Sequence, residues 1–127
     1  MIDKTTARRL LKLCDHMESL PKGADKHFNM DTFIAHEGDH EHPLPKRQRD
    51  LLTCGTTACA LGWATTMPYF RKLGVKFDSW GVVQGDDEVF TLTDDQWSAL
   101  FERHNKDKTP RAWAKRVRKL LKQWSAA

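Results

Sequence analysis

The sequence predicts a mainly α-helical protein, a compact domain of four or five helices with a small β-hairpin near residues 82–90. Apolar residues recur at helical spacing near both ends of the chain, and Pro residues stand where helices should stop or start. Runs typical of strands are confined to residues 75–92. Because no linker-like tract interrupts the 127 residues, we expect a single domain spanning residues 1–127.

The first helix is predicted over residues 4–20, with Asp3 as its cap and Pro21 after its last apolar residue. The apolar residues that share its predicted inner face are Ala7, Leu10, Leu11, Cys14 and Met17. Residues 35–50 are polar and include two prolines and a glycine. They predict an exposed loop.

Small residues dominate the passage from Cys54 to Ala64, which predicts a turn entering a helix that packs closely and lies centrally. A further helical turn over residues 68–73 should end at Gly74. The hairpin should pair residues 82–84 with residues 88–90.

Two capping signals open the last helices. Thr93 and Gln96 form a capping box, and Thr109-Pro110 places a cap before a proline at the first helical position. The apolar stripe of the final helix consists of Trp113, Val117, Leu120, Leu121 and Trp124.

Charge is unevenly distributed along a chain whose net charge is +4. Residues 78–102 contain seven acids and no Lys or Arg, whereas residues 106–127 contain eight bases and one acid. In one interpretation, the two segments face each other within one molecule or are both exposed to water. In the other interpretation, the basic helix contacts a polyanion. The candidate residues for a nucleic acid or an acidic protein are Lys115, Arg118, Lys119 and Lys122.

An anion site is predicted where the helix after Cys54 should begin. Free backbone N–H groups at Gly55, Thr56 and Thr57, with the Thr hydroxyls, could hold a phosphate or carboxylate beside Arg47 and Arg49. The alternative is that a threonine simply caps the helix and Gly55 forms the turn.

A metal site is a weaker prediction. Its candidate ligands are Cys54, Cys59, His36, His40 and His42, but their spacing matches no standard zinc pattern. Cys59 is otherwise a small buried hydrophobe. No nucleotide loop, nucleophile elbow or metalloprotease motif is present, so the sequence predicts no catalytic residue and no cofactor.

Two passages together resemble a pattern in small bacterial and phage proteins of unassigned function. The passages are Phe28-Asn29-Met30-Asp31-Thr32-Phe33 and Cys54-Gly55-Thr56-Thr57-Ala58-Cys59-Ala60-Leu61-Gly62-Trp63-Ala64, with Leu20-Pro21 and Thr109-Pro110 at the matching helix ends. The family pattern has Trp where this chain has Phe33, and it lacks the long segment at residues 35–50. The resemblance implies an architecture and a phage or bacterial context.

We therefore expect a non-catalytic accessory binding protein, acting in the cytoplasm or in the host cytoplasm if phage-encoded. In an anti-defence role it would sequester an anionic, nucleotide-like small molecule or block a host factor. Binding of nucleic acid or acidic protein through the last helix is the alternative, and a metal-supported protein is the second alternative. No segment is long and apolar enough to suggest a membrane span.

Overall fold

The computed structural model describes residues 2–28, 35–36, 56–57, 59–77, 83–101 and 107–125. Its longer helices are α1 (Lys4–Ser19), α5 (Asp94–Phe101) and α6 (Pro110–Ser125). Shorter helices are α2 (Ala60–Ala64), α3 (Pro68–Lys72), α4 (Asp86–Val89) and a 3-10 helix at Lys22–His27. The strands are β1 (Ala35–His36), β2 (Thr56–Thr57), β3 (Lys76–Phe77) and β4 (Val83–Gln84). The mainly helical prediction is confirmed.

Helix α1 begins at the predicted cap. The Asp3 carboxylate accepts a hydrogen bond from the Thr6 backbone N–H at 3.0 Å, which satisfies one of the unpaired donors of the first turn. The predicted inner face is wrong at one position, because Leu11 is 38% exposed whereas Leu13 is fully buried. Leu10, Leu13, Cys14 and Met17 therefore form the buried stripe.

Helices α1 and α6 pack against each other in an antiparallel arrangement. Arg111, near the start of α6, donates to the Leu20 carbonyl directly after α1, and Arg118, two turns further along α6, contacts Asp15 and Glu18 earlier in α1. The predicted stripe of α6 faces the interior, with Trp113, Val117 and Leu121 buried. Leu120 and Trp124 pack at its edge and are only partly buried.

A hairpin is present, but the strand that pairs with Val83–Gln84 precedes it in the sequence instead of following it. Val83–Gln84 (β4) pairs antiparallel with Lys76–Phe77 (β3), rather than with residues 88–90. Residues Asp86–Val89 form the helical turn α4 instead. Gly85 takes a left-handed conformation (φ +85°), which turns the chain directly from strand into helix.

A second ladder joins Ala35–His36 to Thr56–Thr57, with His36 opposite Thr56. The start of the predicted 35–50 loop is therefore a strand, and residues 37–50 lie outside the described residues. Thr56 and Thr57 also belong to a strand rather than to the turn that enters a helix.

Helix α2 and the segment after it are central, as predicted. All residues of α2 are buried, and the buried segment continues through Thr65 and Thr66 to Met67. The hydroxyls of these threonines donate back to the carbonyls of Gly62 and Trp63 at 2.6 and 2.7 Å, so burial leaves neither hydroxyl unsatisfied. Helix α3 ends as predicted before Gly74 (φ +99°).

Aromatic side chains connect the helices through the core. Phe90 lies 5.6 Å from Phe70 and 5.8 Å from Phe101, and Phe101 stacks on Trp113 at 6.0 Å between ring centroids. The Trp113 indole N–H donates to the Leu100 carbonyl at 2.9 Å. In the described part of the chain, no helix is long and apolar enough to cross a membrane.

Candidate functional site

The predicted anion site loses the helix terminus on which it was based. Helix α2 begins at Ala60 with Cys59 as its cap residue, while Thr56 and Thr57 lie in β2. The competing interpretation of a threonine cap is wrong for the same reason. In an antiparallel ladder, alternate residues direct their N–H groups to the partner strand, so a two-residue strand does not present the run of free N–H groups that opens a helix. Arg47, Arg49 and Gly55 lie outside the described residues.

The candidate metal ligands are only partly described. The ladder places the backbone of His36 opposite that of Thr56. His40, His42 and Cys54 lie outside the described residues, and the part of the chain that the structure describes contains no group of three potential metal ligands. A metal site that uses the whole predicted set stays a prediction.

The two described cysteines are buried thiols. Burial raises the pKa of Cys59 to about 11, and burial raises the pKa of Cys14 to about 12. The Cys14 thiol donates to the Ala114 carbonyl of α6 at 3.7 Å. A high thiol pKa leaves little thiolate near neutral pH, so both cysteines have the character of structural side chains.

The basic residues of α6 divide into two groups. Arg118 contacts Asp15 and Glu18 of α1, with its Nη2 atom 2.6 Å from a Glu18 carboxylate oxygen. Arg116 pairs with Asp107 at 2.7 Å and also donates to the Ala99 carbonyl. The arginines therefore attach α6 to its neighbours, and two carboxylates of α1 already pair with Arg118.

The lysines of α6 form the second group. Lys115, Lys119 and Lys122 are exposed and recur at i, i+4 and i+7, so they share one helix face. No carboxylate among the described residues pairs with any of them. We call these three lysines the lysine row. The structure therefore leaves three of the four predicted polyanion residues available.

The described acids of residues 83–101 form no ion pair with α6. The ion pairs that α6 makes within the described ranges involve Asp107, Asp15 and Glu18, none of which belongs to residues 83–101. The predicted arrangement in which the acidic segment faces the basic helix is therefore not supported by an ion pair among the described residues.

Sequence reasoning missed a groove of about 580 Å³ along α4 and α5. Its polar lining includes Asp87, Asp94, Thr91 and Ser98, and its aromatic lining is Phe90 and Trp97. The signal in the sequence was the placement of Trp97 four residues after the capping residue Thr93, which directs an aromatic ring beside the acidic first turn of α5.

Asp86 precedes the lining residue Asp87 in α4 and does not itself line the groove. Burial and the neighbouring Asp87 carboxylate raise the pKa of Asp86, and a hydrogen bond from the Trp97 side chain acts in the opposite direction. The Trp97 ring is partly buried and packs against Phe101, with 5.9 Å between ring centroids.

Comparison of the chain with protein-family models, with curated proteins and with solved structures finds no match. The resemblance to small bacterial and phage proteins therefore stays a prediction from the quoted motifs.

Proposed function

We propose that this protein is a non-catalytic binding protein that contacts the phosphate backbone of a nucleic acid through the lysine row of α6. The observation that carries the proposal is that these three exposed lysines share a face and have no acidic partner in the described part of the chain. Their neighbour Arg118, by contrast, is neutralised by α1.

The geometry of the row suits a phosphate backbone. Residues 115 to 122 span about 10 Å along the helix axis, because each residue advances the helix by about 1.5 Å. One strand of duplex DNA carries a phosphate about every 3.4 Å of axis, so about three phosphates lie within that length. The arginine contacts to Leu20, Asp15 and Asp107 hold the helix in place, so the row is presented on a fixed element.

Base recognition by stacking is not expected from this helix. Trp113 is fully buried in the core, and Trp124 is partly buried and packs against the core. Since the aromatic rings of α6 face inwards, contact would come from lysines and phosphates alone. We therefore expect weak sequence preference and strong dependence on salt.

The test is fluorescence anisotropy of a labelled DNA duplex over a range of salt concentrations. Lys115→Gln with Lys119→Gln should weaken binding and lower the slope of log K against log salt by about two, since each lost phosphate contact removes about one unit. Lys72→Gln with Lys76→Gln changes the net charge equally at exposed sites away from α6 and should retain the wild-type slope.

A flat salt response, or an equal loss in both double variants, would contradict the proposal. Polyglutamate that competes as well as DNA at equal charge would instead favour an acidic protein as the partner. Sequestration of an anionic small molecule through Arg47 and Arg49 stays a prediction, because no described contact favours it.

A further inference from the structure

The groove along α4 and α5 combines three features that a site for a positively charged ligand requires. It is a concavity of about 580 Å³, within the range of about 300–1,000 Å³ that is usual for small-molecule sites. Its lining contains two exposed carboxylates, Asp87 and Asp94. It also contains the ring of Trp97, the side chain that attracts cations most strongly through its π face.

The charge around the groove is not compensated. Residues 83–101 contain five acids and no Lys or Arg, and none of these acids forms an ion pair with a described residue. Arg9 reaches α4 from α1, but its Nη1 atom donates to the Val89 carbonyl at 2.9 Å rather than to a carboxylate. A cation entering the groove would therefore meet negative charge with no competing partner among these residues.

The aromatic wall is supported by the core before a ligand arrives. The Trp97 ring packs against Phe101, with 5.9 Å between ring centroids, and this contact restrains the indole ring. The capping box of Thr93 and Gln96, with hydrogen bonds of 3.0 and 3.1 Å, fixes the first turn of α5 and therefore the backbone of Asp94. Such preorganisation reduces the entropy lost on binding.

We propose that this groove binds a small organic cation, a guanidinium or alkylammonium compound, with Asp87 and Asp94 as counter-charges and the Trp97 ring as its wall. The proposal is independent of the lysine row, because α4 and α5 supply every residue it uses. Since the groove is open to solvent, we expect a dissociation constant on the order of 1 mM.

The test is an NMR titration of the ¹⁵N-labelled full chain, following the Trp97 indole N–H signal, which Trp97→Phe assigns. The probe is agmatine, which carries a guanidinium and an ammonium group, and the control ligand is butylurea, which keeps the planar polar head without charge. Agmatine should shift the Trp97 signal in a saturable way, and butylurea should not.

Matched variants separate the site from the general field. Asp87→Asn with Asp94→Asn should weaken agmatine binding about tenfold, equivalent to about 1.4 kcal/mol. Glu88→Gln with Asp95→Asn removes the same net charge from adjacent exposed residues that do not line the groove and should weaken binding much less. The dispersion of each NMR spectrum reports whether the variant is folded, and Asp87→Asn alone serves if the double variant is not.

The absence of a Trp97 shift at agmatine concentrations well above the expected constant would overturn the proposal. Equal weakening in the two double variants would also overturn it, since only long-range attraction would then be present. A comparable shift with butylurea would show that the charge has no role. An agmatine-induced shift confined to other tryptophans would place the ligand elsewhere.

Discussion

Single residues determine how the chain turns between α3 and α4. Gly74 and Gly85 both have positive φ angles, of +99° and +85°. A Cβ atom on Gly85 would overlap the carbonyl group of Gly74, whereas one on Gly74 or Gly23 would meet no atom within 4 Å. The three glycines therefore represent three cases. Gly85 combines steric overlap with backbone strain, Gly74 has backbone strain without overlap, and Gly23 has neither.

Alanine substitutions at these glycines should destabilise the protein in a fixed order. Gly85→Ala should cost more than about 2 kcal/mol, because it combines left-handed strain of about 1–2 kcal/mol with a backbone overlap. Gly74→Ala should cost about the strain alone, and Gly23→Ala should be close to neutral. Urea unfolding followed by tryptophan fluorescence measures all three, and equal effects at Gly74 and Gly85 would disagree with the observed close approach.

His16 makes stability depend on pH. It is partly buried on α1, its Nε2 atom has no hydrogen-bond partner within the described ranges, and burial lowers its pKa from the usual 6.5. As the pH falls below 6.5, His16 becomes protonated in the unfolded chain while it is still neutral in the folded protein. The free energy of unfolding should therefore decrease between pH 6.5 and the lower pKa of the folded state.

We expect His16→Gln to lose less stability than the wild type when the pH falls from about 7.5 to about 5.5. The other five histidines are common to both proteins, so the difference between the two curves isolates His16. The measurement is the urea midpoint at several pH values. Parallel curves for the two proteins would show that His16 does not titrate differently on folding.

At the scale of elements, α1 shows how packing selects a helix face. Leu11 and Leu13 are both apolar residues of the same helix, but Leu11 is 38% exposed and Leu13 is fully buried. Helical spacing alone fits either leucine to a stripe with Leu10 and Met17. Helix α6 contacts α1 through Ala114 and Cys14, and Leu13, which is next to Cys14, lies on the buried side of α1.

Replacing each of these leucines with alanine tests that assignment. Leu13→Ala should destabilise the protein by about 2–5 kcal/mol, because it leaves a cavity in the core. Leu11→Ala should cost less than about 1 kcal/mol, since that side chain already contacts water and alanine is the better helix former. Thermal and urea unfolding give both values, and a larger cost at Leu11 would mean that α1 is rotated.

The two opposite faces of α6 have separate tasks. Its inner face contributes Trp113, Val117 and Leu121 to the core, and its arginines bind neighbouring elements. Surface ion pairs such as those of Arg118 are usually worth about 1 kcal/mol or less, so the buried stripe contributes most of the docking energy. The lysine row can therefore change without loss of the helix, which makes the DNA-binding test interpretable.

For the whole molecule, the separation of charge is the feature that connects the two proposals. The described lysines of α6 and the described acids of residues 83–101 do not pair with each other. With a net charge of only +4, attraction of a polyanion depends on a local surface rather than on the total charge. The same separation leaves the α4–α5 groove negative, so the two surfaces suit ligands of opposite charge.

The sequence by itself determined the helical class, the caps at Asp3, Thr93 and Thr109, and the apolar stripe of α6. These features depend on residues within one or two helical turns of each other. Because such residues are neighbours in the sequence, their contacts can be predicted from it directly. The burial of α2 followed from its small residues for a similar reason. Lys115, Lys119 and Lys122 were predicted together with Arg118, and only the structure separated the three lysines from that arginine.

Only the tertiary structure decided which partners those elements meet. Thr56–Thr57 became a strand because Ala35–His36 pairs with it across a long sequence separation, and this removed the predicted anion site from a helix start. β4 paired with β3 instead of the residues after it, because the left-handed Gly85 leads into α4. Arg118 pairs with Asp15 and Glu18, about a hundred residues away in sequence. Contacts between distant segments depend on how helices pack, which no local pattern of residues specifies.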